Sequence, residues 1–150
     1  MTLYYLIRQK KYFMLTAFLL GLVSVSTGEI INSIQKVTVY NDCFLLWIYN
    51  IPVFIILGGA MFSAWLFEAG EYINKKSLLI RLIIIFILSL LAPIIEIAGI
   101  KVQVWSWQRP STISTSWLLG VWLFYFIFIV SPALIATLIK NFKSAKSKNS

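Results

Sequence analysis

The sequence predicts an all-α polytopic membrane protein, a bundle of four transmembrane helices, on three observations. Hydrophobic residues make up 60% of the 150 positions and mean hydropathy is +0.88, whereas a soluble domain is about half apolar. Charged residues make up only 12%. The apolar residues are also gathered into four stretches, each with the ~20 residues that cross about 30 Å of hydrocarbon. Lipid must solvate part of so apolar a surface. A backbone in lipid has to bond to itself, so stretches of this length are helices.

The first segment runs from about Tyr12 to Ile34, and its second half is the more polar, with Ser24, Ser26, Thr27, Glu29, Asn32 and Ser33. A short connection carries Lys36, Asn41 and Asp42. The second segment, about Phe44 to Phe67, contains Pro52, Gly58 and Gly59, and membrane helices tolerate such residues with a kink. A polar turn follows, with Glu68, Glu71, Asn74, Lys75, Lys76 and Ser77. The third segment runs from Leu78 to Ile100 and includes the apolar run Leu82 to Leu88. A longer, tryptophan-bearing loop spans Lys101 to Ser116, and the fourth segment runs from Trp117 to Ile139. Residues 1–139 thus form one transmembrane domain. Residues 140–150, rich in Lys, Ser and Asn, read as a basic disordered tail.

Charge placement sets the expected orientation. Ten of the thirteen Lys and Arg residues lie in the N-terminal stretch, in the connection between segments two and three or just beyond it at Arg81, and in the tail; Lys36, Lys101 and Arg109 lie in the other two loops. The positive-inside rule then puts both termini on the cytoplasmic side of a cell membrane. The net charge of +8 does not point to nucleic acid, because the basic residues sit in short clusters between apolar runs and form no phosphate-tracking face. A competing reading takes Arg8 to Lys11, the apolar stretch and Ser24-Val25-Ser26 as a secretory signal. Its removal would leave an odd number of spans.

Cys43 is the only cysteine and there is no histidine. An internal disulfide, a thiolate metal cluster, a Ser-His-Asp triad and a histidine-ligated metal are excluded. The expected cofactor set is none. Any chemistry must use carboxylates, hydroxyls, amides, lysines or arginines.

Glu29 and Glu96 are the candidate catalytic residues. Counting from Tyr12, Glu29 lies about 25 Å across the bilayer; counting from Leu78, Glu96 lies about 27 Å across. Both reach the same outer depth on helices running in the same direction. Ionisable residues at such depth usually face the bundle interior and mark a site, although each could simply end its helix in water. Ser26, Glu29 and Ser33 share one helical face with Asn32 beside it, and Ser89, Pro93 and Glu96 share another. Pro93 frees the Ser89 carbonyl. Two carboxylates in one site can divide acid and base roles, here with Glu96 as general acid and Glu29 as partner or base.

Trp105 and Trp107 alternate with polar residues above this site. They read either as an interfacial aromatic belt or as a lid whose indole faces stabilise a cation. Glu68 and Glu71 read as a solvated helix end, with Glu71 and Lys75 paired at i,i+4. Gly58, Gly59, Ala60, Ser63 and Ala64 read as a close helix–helix contact.

The two halves look alike. Gly28-Glu29-Ile30-Ile31 is followed by Leu46-Trp47-Ile48-Tyr49-Asn50-Ile51-Pro52-Val53-Phe54, and Ile95-Glu96-Ile97-Ala98-Gly99 by Trp117-Leu118-Leu119-Gly120-Val121-Trp122-Leu123-Phe124. Two repeated helical hairpins about a pseudo-two-fold axis along the membrane normal would produce this pattern. At these residues the chain resembles membrane-integral carotenoid-modifying proteins, among them the carotenoid hydratases of the bacterioruberin pathway and the small heterodimeric lycopene cyclases. In that family a glutamate at a helix end is followed by a Gly-x-Trp/Tyr-type loop and a return helix opening with Gly-Val-Pro-Leu. Glu96-Ile-Ala-Gly-Ile-Lys-Val-Gln-Val-Trp105, Leu119-Gly-Val-Trp-Leu-Phe124 and Asn50-Ile-Pro-Val53 look like parts of that pattern. Trp122 stands where the pattern has proline, and the Pro-x-Glu-Glu signature of the cyclases is absent. The resemblance implies cofactor-free acid–base chemistry on a long isoprenoid, with Glu29 and Glu96 as the carboxylates. Asn32, Tyr49, Asn50, Trp105 and Trp107 are the candidate substrate-binding residues.

The sequence supports three functions: an isoprenoid-modifying enzyme, an accessory subunit of a larger membrane complex, and a small transporter or channel formed by a homo-oligomer. Its expected partners are a membrane lipid or isoprenoid ligand, a membrane-protein partner or a second copy, and no nucleic acid.

Overall fold

The computed structural model describes residues 12–35, 38–40, 46–48, 50–73, 77–107 and 115–146. Four helical segments long and apolar enough to cross a membrane form the bundle. In chain order the elements are α1 (Tyr12–Ile34), β1 (Thr38–Tyr40), β2 (Trp47–Ile48), β3 (Ile51–Pro52), α2 (Val53–Ile73), α3 (Leu78–Ser89), α4 (Ala92–Lys101), β4 (Trp105–Trp107), α5 (Thr115–Tyr125), a π-helical turn (Phe126–Val130) and α6 (Ser131–Lys146).

The first segment has its expected bounds, and the second does not. Its helix starts at Val53, nine residues later than the apolar composition suggests. Proline lacks the N–H that a helix interior requires and restrains the residue before it to extended backbone. Ile51 and Pro52 accordingly pair with Ile48 and Trp47 as a hairpin. Asn50 lies in its turn with φ of 61°, a left-handed conformation that asparagine tolerates. The helix then runs beyond Phe67 to Ile73.

The third segment breaks at Leu90–Leu91, where two tightened bonds (Leu90 N–H to Ile87 O and Leu91 N–H to Leu88 O, each 3.1 Å) replace the α pattern. Pro93 then sits in the first turn of α4, a position where its missing N–H costs nothing. The fourth segment contains the π-helical turn, in which the Ser131 N–H reaches back to Phe126 O. Pro132 follows directly, and hydroxyls serve nearby carbonyls: Ser131 Oγ donates to Ile127 O at 2.5 Å and Ser63 Oγ, from α2, to Ile129 O at 2.6 Å. Helix continues through Lys146, so residues 140–146, expected to be disordered, are ordered.

The core lies between α1, α2, α3 and α6 and includes Ala17, Leu66, Phe67, Ile85, Val130, Ala133 and Ala136. Ala60, Ser63 and Ala64 are buried and meet α1 closely: a Cβ on Gly21 would lie 2.8 Å from Ser63 Oγ, and one on Gly59 would lie 2.9 Å from Val25. Small residues let membrane helices approach in this way. Gly58 alone of the expected contact set has open space before it. Ser63→Ala should cost about 1–3 kcal/mol by leaving the Ile129 carbonyl without its donor. Denaturant unfolding in detergent, followed by helical circular dichroism, measures this; an unchanged midpoint would show that the carbonyl finds another donor.

Glu71 corrects the sequence reading most clearly. It is not a solvated end but a buried carboxylate. Arg81 Nη1 of α3 and Lys140 Nζ of α6 each donate to one of its oxygens, and Arg81 Nη2 donates to Asn141 Oδ1 at 3.3 Å. Where three helices converge, the charge meets tertiary partners; Lys75 lies outside the described residues. The cluster clamps α2, α3 and α6 at the end of the bundle opposite Glu29 and Glu96.

Candidate functional site

The buried stripe of α1 runs through Ala17, Gly21, Val25, Gly28, Glu29 and Asn32, a helical spacing that turns Glu29 into the bundle. The Tyr40 hydroxyl donates to Glu29 Oε2 at 2.5 Å, and Asn32, one turn along, is buried beside it on the same cavity. Burial first, then the Glu29 charge and the hydrogen bond to it, hold the Tyr40 hydroxyl well above the usual phenol range. Tyr40 is therefore a neutral donor at physiological pH.

Glu96 is equally buried and is held at both oxygens: Trp105 Nε1 donates to Oε1 at 2.7 Å and the Tyr125 hydroxyl to Oε2 at 2.8 Å. The Trp105 contact depends on how α4 ends. Gln103 N–H bonds Ile100 O and Val104 N–H bonds Gly99 O, while Gln103 takes φ of 58°. This is the left-handed reversal that usually recruits glycine. It folds the chain back so that the Trp105 indole lies on Gly99, which has no side chain to obstruct it.

β1 and β4 form an antiparallel ladder pairing Thr38 with Trp107, Val39 with Ser106 and Tyr40 with Trp105. Directly opposed residues share a face of such a ladder. Tyr40 and Trp105 therefore descend side by side, each to the glutamate of its own half. Glu29 precedes Val39 by the same spacing as Glu96 precedes Ser106, and those two residues pair at the ladder centre. Exchanging the halves maps the ladder onto itself, in keeping with a two-hairpin architecture. Away from the ladder the symmetry lapses: α1 is continuous while α3 and α4 are broken apart.

The carboxylates line one small polar cavity of about 30 Å³, together with Asn32, Thr38, Tyr40, Ile55, Trp105, Phe124 and Tyr125. That is room for a water or two, at roughly 10–15 Å³ for each. A cavity of about 310 Å³ adjoins it, sharing Glu29, Ile55, Trp105, Phe124 and Tyr125 and adding Val25, Phe54, Gly58, Gly59, Phe62, Ile95 and Ile129. The arrangement places both carboxylates on a small polar cavity, and Glu29, Trp105 and Tyr125 also on the wall of the larger, mostly apolar chamber that adjoins it. Among the described residues, no basic side chain lines either cavity and no group of three metal-ligating side chains occurs.

The structure thus brings Glu29, Glu96, Asn32 and Trp105 together around one small cavity. Asn50 is not among them: it is exposed at the β2–β3 turn and lines neither cavity. Trp107 joins the ladder through its backbone; the expectation for its indole, like that for Tyr49, lies outside the described residues. Tyr40, Tyr125 and Phe124 are site residues that the sequence reading passed over. A tyrosine within an apolar run seeks a partner for its hydroxyl, and that signal was available at Tyr125.

Fold and site together define a polytopic four-helix membrane protein with two carboxylates facing a common cavity. No protein-family model, curated protein or solved structure matches the chain.

Proposed function

We propose that the protein is an isoprenoid-modifying enzyme of the cell membrane, with both termini cytoplasmic. It would protonate a double bond of a polyene such as a carotenoid and complete a cyclisation or a hydration. The observation that carries this reading is the meeting of Glu29 and Glu96, from different halves of the chain, in a small polar cavity that adjoins a larger apolar one through Glu29, Trp105 and Tyr125. Residues that only ended their helices in water would have no reason to turn inward and recruit three aromatic donors.

In this reading Glu96 delivers a proton to one alkene carbon, a C–H bond forms, and a carbocation remains on the neighbouring carbon. The π-faces of Trp105, Tyr125 and Phe124 stabilise that charge. Glu29 then takes a proton, either from a carbon after ring closure, which yields a cyclised alkene, or from a water as it adds, which yields an alcohol. Tyr125 and Trp105 orient Glu96, and Tyr40 orients Glu29. No redox step or cofactor is needed.

General acid–base groups contribute about 10²–10⁴-fold, so Glu96→Gln should lower product formation by at least about a hundredfold, and Glu29→Gln by a similar factor. The assay is the isoprenoid and carotenoid profile of the native host carrying each variant, with protein level checked in the membrane fraction. Profiles identical to wild type would overturn the reading in favour of a non-enzymatic accessory subunit.

A further inference from the structure

The larger cavity is not sealed. Two of its wall residues, Phe54 on α2 and Ile95 on α4, are 68% and 41% exposed. They stand on two helices that both line the cavity yet make their main packing contacts elsewhere, α4 with α5 and β4, and α2 chiefly with α1. At this height the outer surface of the bundle is apolar, with Leu57, Ile94 and Leu91 exposed nearby. In a membrane such a surface faces hydrocarbon.

The lining is also selective in charge. It offers a carboxylate at one end, aromatic and aliphatic walls and, among the described residues, no lysine or arginine. A phosphate- or carboxylate-bearing lipid head would meet like charge at Glu29 and an otherwise apolar lining. Gly58 lies on the wall, and a Cβ built on it meets nothing within 4 Å. A side chain at this position would project into free space, so Gly58 leaves the chamber its depth. Its neighbour Gly59 serves a different purpose, packing against Val25.

We infer that the space between α2 and α4 is a lateral portal through which the uncharged end of a linear apolar chain enters from the bilayer, past Phe54 and Ile95, with Gly58 setting how deeply it reaches. At about 310 Å³ the chamber is near the lower limit of ligand cavities, about 300–1,000 Å³. It takes a chain end, while the remainder of a long molecule stays in the lipid. This inference rests on the proposed acid–base reading for its purpose and on the cavity alone for its geometry.

The test uses the purified full chain in lipid nanodiscs and, as probe, a linear C20 isoprenoid hydrocarbon with a terminal diazirine, photo-crosslinked and mapped by mass spectrometry. Wild-type protein should be labelled at Phe54, Phe62 or Ile95. Gly58→Leu should cut that labelling about tenfold, the loss for an overpacking cost of about 1.4 kcal/mol, while Gly58→Ala retains most of it and controls for folding. Excess phospholipid of matched chain length should not compete, whereas unlabelled C20 hydrocarbon should. Labelling that maps elsewhere, that ignores Gly58→Leu, or that phospholipid displaces equally well would overturn the portal. The outcomes separate the two ideas: Gly58-sensitive labelling that persists in Glu96→Gln, combined with an unaltered host isoprenoid profile, would keep the portal and remove the enzyme.

Discussion

Glu71→Ala is expected to destabilise the protein by about 3–5 kcal/mol, the usual cost of removing one partner from a buried ion pair. Arg81 is 5% exposed and would keep its charge inside the bundle with its principal acceptor gone. Lys140 is one-third exposed and can turn to water, so most of the loss falls on Arg81. Arg81 Nε already lacks a hydrogen-bond partner among the described residues, which leaves the guanidinium little else there to rely on. The measurement is reversible denaturant unfolding in detergent micelles. Replacing the pair together, Glu71→Leu with Arg81→Met, should recover much of the stability, because well-packed apolar residues often substitute for buried ions at no cost. A loss below about 1 kcal/mol in Glu71→Ala, the range of exposed ion pairs, would show that water reaches the cluster.

The second large effect is expected at Gly99. A Cβ there would fall within the Trp105 indole, against Cζ2, Cη2 and Cε2. A rigid ring cannot bend out of the way, so Gly99→Ala must displace it. Overpacking of this kind costs about 1–3 kcal/mol. Glu96 would lose its indole donor and β4 would loosen from β1. Hydrogen exchange reads this directly: amides of residues 104–107 should exchange at least about tenfold faster, the equivalent of about 1.4 kcal/mol in local opening. Trp105→Phe separates the causes, since it keeps the ring on Gly99 and the ladder in place but removes the N–H. Product formation should fall in both variants, whereas faster exchange should appear only in Gly99→Ala. Unchanged protection in Gly99→Ala would mean that the ring has another seat.

Much of this molecule was legible in its residues, for reasons that differ from element to element. The bounds of α1 follow from an uninterrupted apolar run. The depth of Glu29 on α1 pointed to an inward-facing carboxylate, but its buried stripe runs through Gly21, Val25, Gly28 and Asn32 and leaves Ser26 and Ser33 half-buried beside it. The end of α6 was misread because a Lys- and Ser-rich stretch has little apolar content, yet Lys140 and Asn141 find partners on other helices. The hairpin before α2 was hidden within an apolar composition that strand and helix share; only Pro52 hinted at it.

Composition and apolar run length by themselves determined four spans, because the hydrophobic effect and the backbone's need for internal hydrogen bonds act on each segment separately. Counting residues along two helices also placed Glu29 and Glu96 at one level, since helical rise is fixed. Only the tertiary structure decided what those carboxylates face. Tyr125 and Lys140 reach Glu96 and Glu71 from segments distant in sequence, and Tyr40, Trp105 and Arg81, though close in sequence to their glutamates, lie on separate elements that fold back onto them. Their meeting is set by how helices pack and by where the chain reverses, as at Gln103.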